Sequence, residues 1–356
     1  MIMFLMMNDM VPFKRLLFAF FSFFPVLVFG QDVMIGTVLD SLTREPLPYA
    51  TVYINGTPKG TITDSVGFYE LKNINYPADL VISYVGYKTQ VHHLTTNPGY
   101  LLVELKTMGN LPEVVITDYS ERERIMQFFK KMFLGQDYWA EHATIRDEDV
   151  LMFQIEGSKI HAWATEPIII DMPLLGYELY LDLVSFEVEH VDNADKCNML
   201  GYYYYKLNNP DNKSEIKKII KNRQKVFYNS SQHFLMSLYE NKLEENGYRV
   251  TLDNSNDLMG RGEPIDLSRY IKRIGNDMMQ VHGLKNKSIM IEYYSKKDAP
   301  MNLKKSDKRP DDISISVITF LKDNCTFTKD GIVQDNSIQF KYDMAKKRVA
   351  ASLPAD

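Results

Sequence analysis

The sequence predicts a small all-β sandwich followed by an α+β region, and three patterns carry that prediction. Between Val33 and Leu105, short runs alternate apolar and polar residues, and Pro or Gly punctuates each run. From Ser120 onward, apolar stripes at helical spacing interrupt further alternating runs. Ahead of both, a charged and then apolar leader places the chain outside the cytoplasm.

In the leader, Lys14 and Arg15 form a charged stretch, and Leu16 to Phe29 is an apolar run broken by Pro25. Val28-Phe29-Gly30 supplies the cleavage positions, so residues 1–30 read as a signal peptide cut before Gln31. The alternative is an uncleaved anchor, but the run has 14 residues where a membrane-crossing helix takes roughly 20. Met10 can serve as the start, and no Cys stands at the cleavage point for a lipid anchor. Ile168 to Ile170 is broken by Asp171, and Ile313 to Leu321 alternates with Ser and Thr, so no later membrane span is expected.

Cleavage removes Asp9, Lys14 and Arg15, so 46 acidic and 41 basic residues become 45 and 39, a net charge of −6 on 326 residues. That balance offers no basic excess to a phosphate backbone, and no nucleic-acid partner is expected. In Lys213–Lys225 the lysines interleave with Ile216, Ile219 and Ile220, which reads as the solvated face of a helix. Lys296–Arg309 holds Pro300 and few apolar residues, which reads as a loop. Cys197 and Cys325 are the only cysteines; an oxidising compartment would let them pair, though their spacing does not decide it.

Val33 to Asp40 reads as the first strand, and Asp40 to Pro48 as a loop closed by two prolines. Ala50 to Ile54 is the next strand and ends in Asn55-Gly56, a turn signal. Gly60 to Thr63 and Gly67 to Leu71 read as a hairpin around Asp64-Ser65. Leu80 to Tyr84 is apolar but for Ser83, as a central strand should be. Gly86 permits a bend, Tyr87 to Val91 returns, and Tyr100 to Leu105 closes the set. Seven short strands fit an antiparallel sandwich over residues 31–110.

The register of Gly36, Val38, Asp40, Pro46, Leu47, Ala50, Val52, Gly56-Thr57, Gly60-Thr61, Thr63-Asp64, Gly67 and Tyr69 to Leu71 resembles the carboxypeptidase regulatory-like domain, a transthyretin-like sandwich. The resemblance implies a structural or adhesive role without chemistry of its own. In many Bacteroidetes proteins this module precedes the plug and barrel of TonB-dependent outer-membrane transporters. The rest of this chain is too short and too polar for a barrel of roughly twenty strands, so a transporter is not expected.

Residues 111–119 read as a linker strand. Its run Glu113, Val114, Val115, Ile116, Thr117 is similar to a TonB box, which implies an extended strand added to a partner's sheet edge. The competing use is a strand that completes this protein's own sandwich, because a loose apolar run invites aggregation.

In residues 120–356, Ser120-Glu121-Arg122-Glu123 forms a capping box. Ile125, Phe128, Phe129, Met132 and Phe133 stripe the helix behind it, and Gly135 ends it. Ile145 to Glu156 and Lys159 to Thr165 read as strands. Pro167 to Ile170, Tyr177 to Leu183 and Ser185 to His190 read as a meander, and Tyr202 to Leu207 as a further strand. Ile216, Ile219, Ile220, Val226 and Phe227 stripe a second helix. Phe234, Leu235, Leu238, Tyr239 and Leu243 stripe a third, stopping at Asn246-Gly247. Tyr248 to Leu252, Lys287 to Tyr294, Ile313 to Leu321 and Ile338 to Tyr342 complete an α+β domain. Phe133-Leu134-Gly135, Pro173 to Tyr177, Gly201 to Tyr203, Ser231 to Leu235 and Arg348 to Pro354 resemble Bacteroidetes envelope proteins of the same two-part build, which implies no particular activity.

No catalytic constellation survives inspection. No His is followed three residues later by Glu, so a zinc carboxypeptidase site is absent from the sequence. There is no Gly-x-Ser-x-Gly elbow, phosphate loop or Gly-x-Gly-x-x-Gly, and Ser214 to Lys217 matches Ser-x-x-Lys without its companion motifs. No metal or cofactor is expected: Cys and His lack zinc spacing, and the acidic cluster Glu187, Glu189, His190, Asp192, Asp195 matches no calcium loop. His233 lies near a helix start with no acid partner evident, which favours packing over base catalysis. Tyr202 to Tyr205 point rings to both faces of a strand. Tyr203 and Tyr205, with Trp139 and Trp163, are candidates for stacking on a glycan, and sheet packing is their competing use.

These readings converge on a secreted, non-enzymatic binding or assembly protein of the cell envelope, periplasmic or outer-membrane associated, with envelope proteins or glycans as partners. Two alternatives stay open. One is a hydrolase whose site assembles in the C-terminal region around His233. The other is an accessory to TonB-dependent uptake through Glu113 to Thr117.

Overall fold

The structure, a computed structural model, describes residues 33–109, 119–191, 194–253, 262–275, 277–294, 313–333 and 337–355; the side chains of 190, 191 and 194–196 are not among those described. The leader, the run Glu113 to Thr117, the Lys296–Arg309 loop and the side chains of His190, Asp192 and Asp195 lie outside these residues.

The sandwich is built from β1 (Val33–Asp40), β2 (Thr51–Ile54), β3 (Gly60–Ile62), β4 (Phe68–Lys72), β5 (Ala78–Ser83), β6 (Gln90–Leu94) and β7 (Tyr100–Leu105). One sheet runs β4-β1-β7 and the other β3-β2-β5-β6, so β5 is central as its apolar sequence demands. Every second residue of β1 is buried, and Met34, Val38, Val52, Leu80, Ile82 and Val103 meet between the sheets. Two expectations need correcting. The sandwich is not wholly antiparallel: β7 pairs parallel to β1, because the chain reaches it from the other sheet and need not turn back beside β1. Nor do β3 and β4 form a hairpin. The Asp64 carboxylate accepts from the Val66 and Phe68 amides at 2.9 Å each, making a corner that carries the chain between sheets.

The second region opens with α1 (Tyr119–Phe133). Ser120 lies inside this helix rather than ahead of it, so it is not the cap. Ile125, Phe129, Met132 and Phe133 are buried as the stripe predicts. They pack on a sheet of β8 (Thr144–Ile145), β9 (Leu151–Glu156), β10 (Lys159–Ala164), β11 (Ile168–Met172), β12 (Tyr177–Val191) and β13 (Ala194–Leu207), called the platform below. Strand β12 is one long strand where the sequence suggests two. A bulge between Leu183 and Ser185 interrupts its register with β13. The other edge of β12 pairs first with β11 and then with β10.

Next come α2 (Lys213–Phe227), α3 (Ser231–Tyr239), β14 (Tyr248–Leu252), β15 (Ile271–Ile274), β16 (Met278–Val281), β17 (Ser288–Tyr293), β18 (Ser314–Phe320), β19 (Cys325–Thr328), β20 (Ile338–Tyr342) and α4 (Asp343–Lys346). Helix α2 turns Ile219, Asn222 and Val226 inward and leaves Ile216 and Ile220 exposed, against the predicted stripe. Hydrogen bonds set that rotation. Asn222 Nδ2 donates to the Leu174 carbonyl at 3.0 Å, and Arg223 Nε to the Leu175 carbonyl at 2.7 Å. Helix α3 stops at Tyr239, short of Asn246-Gly247, where Asn241 takes a left-handed φ of 57°. The last strands form two sheets, β14-β17-β18-β20 and β15-β16-β19, around Phe234, Leu238, Tyr248, Ile291, Ile318 and Phe327.

Residues 349–355 strap these parts together. Val349 to Ala351 are buried in the platform core, and the Ala350 amide donates to the Leu134 carbonyl at 3.3 Å. Tyr177 donates its hydroxyl to the Ser352 carbonyl, and the Ala355 amide donates to the Gly56 carbonyl of the sandwich at 2.8 Å. Truncation after Arg348 should therefore cost roughly 3–5 kcal/mol, from lost apolar burial and an orphaned Tyr177 hydroxyl, read as a lower urea midpoint. A second expectation concerns Gly36. A Cβ there would lie 2.1 Å from the Leu101 carbonyl oxygen and 2.5 Å from the Tyr69 ring. Gly36→Ala should cost about 1–3 kcal/mol or more. Gly109→Ala, with no described residue within 4 Å, should stay within about 0.5 kcal/mol. Equal midpoints for the two variants would contradict the close approach of β1 and β7.

Candidate functional site

The place where the sandwich meets the platform gathers specific contacts between separately predicted regions. It has a backbone part and a side-chain part. The turn after β2 lies along the outer edge of β13: the Gly56 amide donates to the Tyr203 carbonyl at 2.7 Å and the Tyr205 amide to the Thr57 carbonyl at 3.2 Å. The Asn55 side chain accepts from the Tyr203 amide at 2.9 Å. Thr57 and Tyr204 form a parallel bridge, so the turn acts as a short added strand. Gly56, at φ 75°, supplies the left-handed turn that brings these groups to the edge.

The side-chain part centres on Asp182 of β12. Its two oxygens accept from Tyr53 Oη and Ser83 Oγ, each at 2.5 Å, and Thr89 adds a third hydroxyl. All three come from the sandwich. Among the described residues no Lys, Arg or His forms an ion pair with Asp182, which is partly buried. Burial pushes the carboxyl above its ordinary value, while the Ser83, Tyr53 and Thr89 hydroxyls draw it down. Burial, and then the Asp182 charge, raises the Tyr53 phenol well above its own ordinary value. Around this point the Tyr53 and Tyr204 rings lie 5.6 Å apart, and the Tyr204 ring leaves room only for glycine at position 60.

The candidate residues fall as follows. Tyr205 is 3 % exposed and meets Tyr177 edge-on at 5.1 Å, and Tyr203 packs against the same core. A sugar does not reach the Tyr205 ring unless the platform core opens, whereas Tyr203 is half-buried. It is the even members of the ladder, Tyr202 and Tyr204, that lie on the face toward the sandwich. Trp139 packs on the core beside Tyr138, whose ring is exposed. Trp163 lies on β10, its indole N–H enclosed and without an acceptor among the described residues. These aromatic residues are not brought together into one face.

His233 is 5 % exposed and ringed by Phe227, Tyr228, Tyr248 and Tyr293. Its Nδ1 accepts from the Asn229 amide at 3.3 Å and lies 2.7 Å from Tyr248 Oη. A backbone N–H can only donate, so Nδ1 carries no proton and the neutral ring holds its hydrogen on Nε2. His233 is thus a packed, hydrogen-bonded histidine. Cys197 and Cys325 are both free, Cys197 packed at the platform core and Cys325 buried among β16, β19 and their neighbours.

Two concavities lie nearby. A groove of about 370 Å³ at the end of α1 is lined by Lys130, Lys131, Gln136, Glu141, Thr144 and Glu148 and bridged by a Lys130–Glu148 ion pair. Among the described residues its lining includes no Ser, Cys or His. A cavity of about 60 Å³ under the sandwich turn includes Thr57, Asp79 and Thr328. Thr57 Oγ1 donates to the Ile54 carbonyl, Asp79 accepts from His93, and Thr328 Oγ1 accepts from the Ile332 amide. Each is committed to its own turn or strand. Among the described residues no group of three or more His, Cys, Asp or Glu is placed to hold a metal, and no described helix is long and apolar enough to cross a membrane.

Sequence reading missed Asn55, Tyr53, Ser83 and Asp182 as a set. On an alternating strand an outward Asp looks like any solvent-facing residue, and nothing local marks it as covered. Comparison with known proteins bears on the sandwich side of the seam. The chain is 26% identical over 138 residues to the TonB-dependent receptor SusC of Bacteroides thetaiotaomicron, covering 39% of this chain and 14% of that one. It is 32% identical over 95 residues to a TonB-dependent receptor of Formosa agariphila, covering 27% of this chain and 9% of that one. The chain thus spans less than a sixth of either relative's length. Residues 34–116 match the CarboxypepD_reg-like domain family, so the sandwich that docks on the platform is a CarboxypepD_reg-like domain.

Proposed function

We propose that this chain is a secreted, non-enzymatic binding or assembly protein of the cell envelope, periplasmic or outer-membrane associated. In this reading a sandwich (31–110) is joined by a link (111–119) to an α+β domain (120–356). The observation that carries the proposal is the CarboxypepD_reg-like domain itself, which likens the chain to TonB-dependent receptors over a small part of their length. In support, Thr57 and Thr328 of one concavity are tied into turns, and Lys130 and Glu148 of the other into an ion pair. Envelope proteins or glycans are the proposed partners.

The test is direct. Expressed with its own leader, the full chain should fractionate with the envelope and lack residues 1–30 by mass. Cross-linking in envelope extracts, alongside a glycan array, should return an envelope protein or a saccharide class. A cytosolic chain of full mass that captures neither would overturn the proposal.

A second reading is favoured by the relatives being TonB-dependent receptors. Here Glu113 to Thr117 supply a strand to a partner in energy-coupled uptake. Deleting these five residues should abolish a co-purifying partner without lowering the urea midpoint; an unchanged partner set would end that reading.

A further inference from the structure

We propose that the seam between the sandwich and the platform is a proton-controlled latch: protonation of Asp182 tightens it, and ionisation of Asp182 loosens it. The geometry is one-sided. A single carboxylate projects from the platform strand β12, and every hydroxyl that meets it comes from the sandwich. Undocking returns the carboxylate to water and separates it from all three partners together. Docking therefore couples to one proton at one residue, whatever the protein binds elsewhere.

The groups facing Asp182 decide the sign. From the sandwich come Tyr53 on β2, Ser83 on β5 and Thr89 ahead of β6. Further along that face is Asp79, its charge met by His93 at 2.8 Å. From β13 comes Tyr202, the cross-strand partner of Asp182, with Tyr204 beyond it. On its own strand lie Tyr180 and Glu178, and Glu178 is paired with Arg146 and Lys206 at 3.2 Å each. Arg146 and Lys206 are thus engaged with another acid, and hydroxyls hold Asp182.

A serine or threonine hydroxyl can donate to a carboxylate or accept from a carboxylic acid, so the seam accommodates both forms. Burial outweighs the hydroxyls and sets the docked value above the undocked one, the latter being about 3.9 for a free carboxyl. The docking contribution is therefore fully present below the undocked value and is lost as pH rises through the docked value. Within that window, docking weakens up to about tenfold per pH unit, the limit for one coupled proton.

Amide hydrogen exchange on the full chain tests this, with rates expressed relative to intrinsic exchange from about pH 4 to about pH 8. The seam amides of Gly56, Tyr203 and Tyr205 should lose protection as pH rises above about 4 and then level off. In Asp182→Asn their profile should be flat. The Val38 amide, bonded to the Gly67 carbonyl within the sandwich, should be unchanged in both proteins. Identical profiles in wild type and Asp182→Asn would overturn the latch, as would Val38 losing protection in step with the seam. If Asp182→Asn does not fold, Ser83→Ala serves instead. It removes a donor whose bond is stronger to the ionised form, so seam protection should fall further near neutral pH than near pH 4; an equal fall at both would also overturn the proposal.

Discussion

The period of two along a β-strand is the constraint on which the rest of this molecule depends. The hairpin of β12 and β13 offers two faces and one free edge, and each meets a different neighbour. Tyr177, Leu179, Leu181 and Tyr205 are buried on one face and build the platform core against α1. Asp182 and Tyr204 lie on the other and meet the sandwich. The outer edge at Tyr203 and Tyr205 takes the turn Asn55–Thr57 through backbone groups. A slip of one residue of β13 against β12 would send Tyr204 and Tyr205 to the opposite faces. The core and the docking of the sandwich are thus determined by one register.

That dependence explains which features were legible in the sequence. Strand β1 and strand β7 lie where alternation and turn residues place them, because one face of each is buried locally. The sandwich family was legible because Gly36, Gly56, Gly60 and Gly67 each answer a steric demand within or beside that module. The platform was harder. Residues 194–201 show no clear apolar period, so β13 looked like a strand starting at Tyr202. Val184 beside the bulge looked like a break rather than part of one continuous β12. The rotation of α2 depends on Asn222 and Arg223 reaching the carbonyls of Leu174 and Leu175, which are distant in sequence. The small sheet β15-β16-β19 escaped notice because its strands are four residues each, too short for a period to show.

The candidate site was illegible for a related reason. Tyr203 and Tyr205 stand out in the sequence as rings, yet the same alternation turns them toward the platform core, where Tyr205 is buried and Tyr203 half-buried. The residues that join the two parts are an Asn and a Gly in a turn, a Tyr, a Ser and an outward Asp. Each is ordinary in its own segment. Their meaning arises only when two segments more than a hundred residues apart face each other, as Tyr53 and Asp182 do.

The chemistry of the seam also argues about its purpose. The cores on either side are closed by apolar packing, which is strong and indifferent to partner. The seam instead relies on backbone bonds at a strand edge and a carboxylate held by hydroxyls. Such polar contacts add little net free energy when complete, because docked groups exchange water for protein partners. They cost far more when one partner is missing, since a covered carboxylate or amide is then left without water or protein. A seam of this kind selects one orientation of the CarboxypepD_reg-like domain and rejects its neighbours in register. Buried Val81 and Tyr53 add apolar cover on the same face of the sandwich. The sandwich is therefore held in a defined position by contacts that a single protonation event is able to bias, which the apolar cores on either side are not.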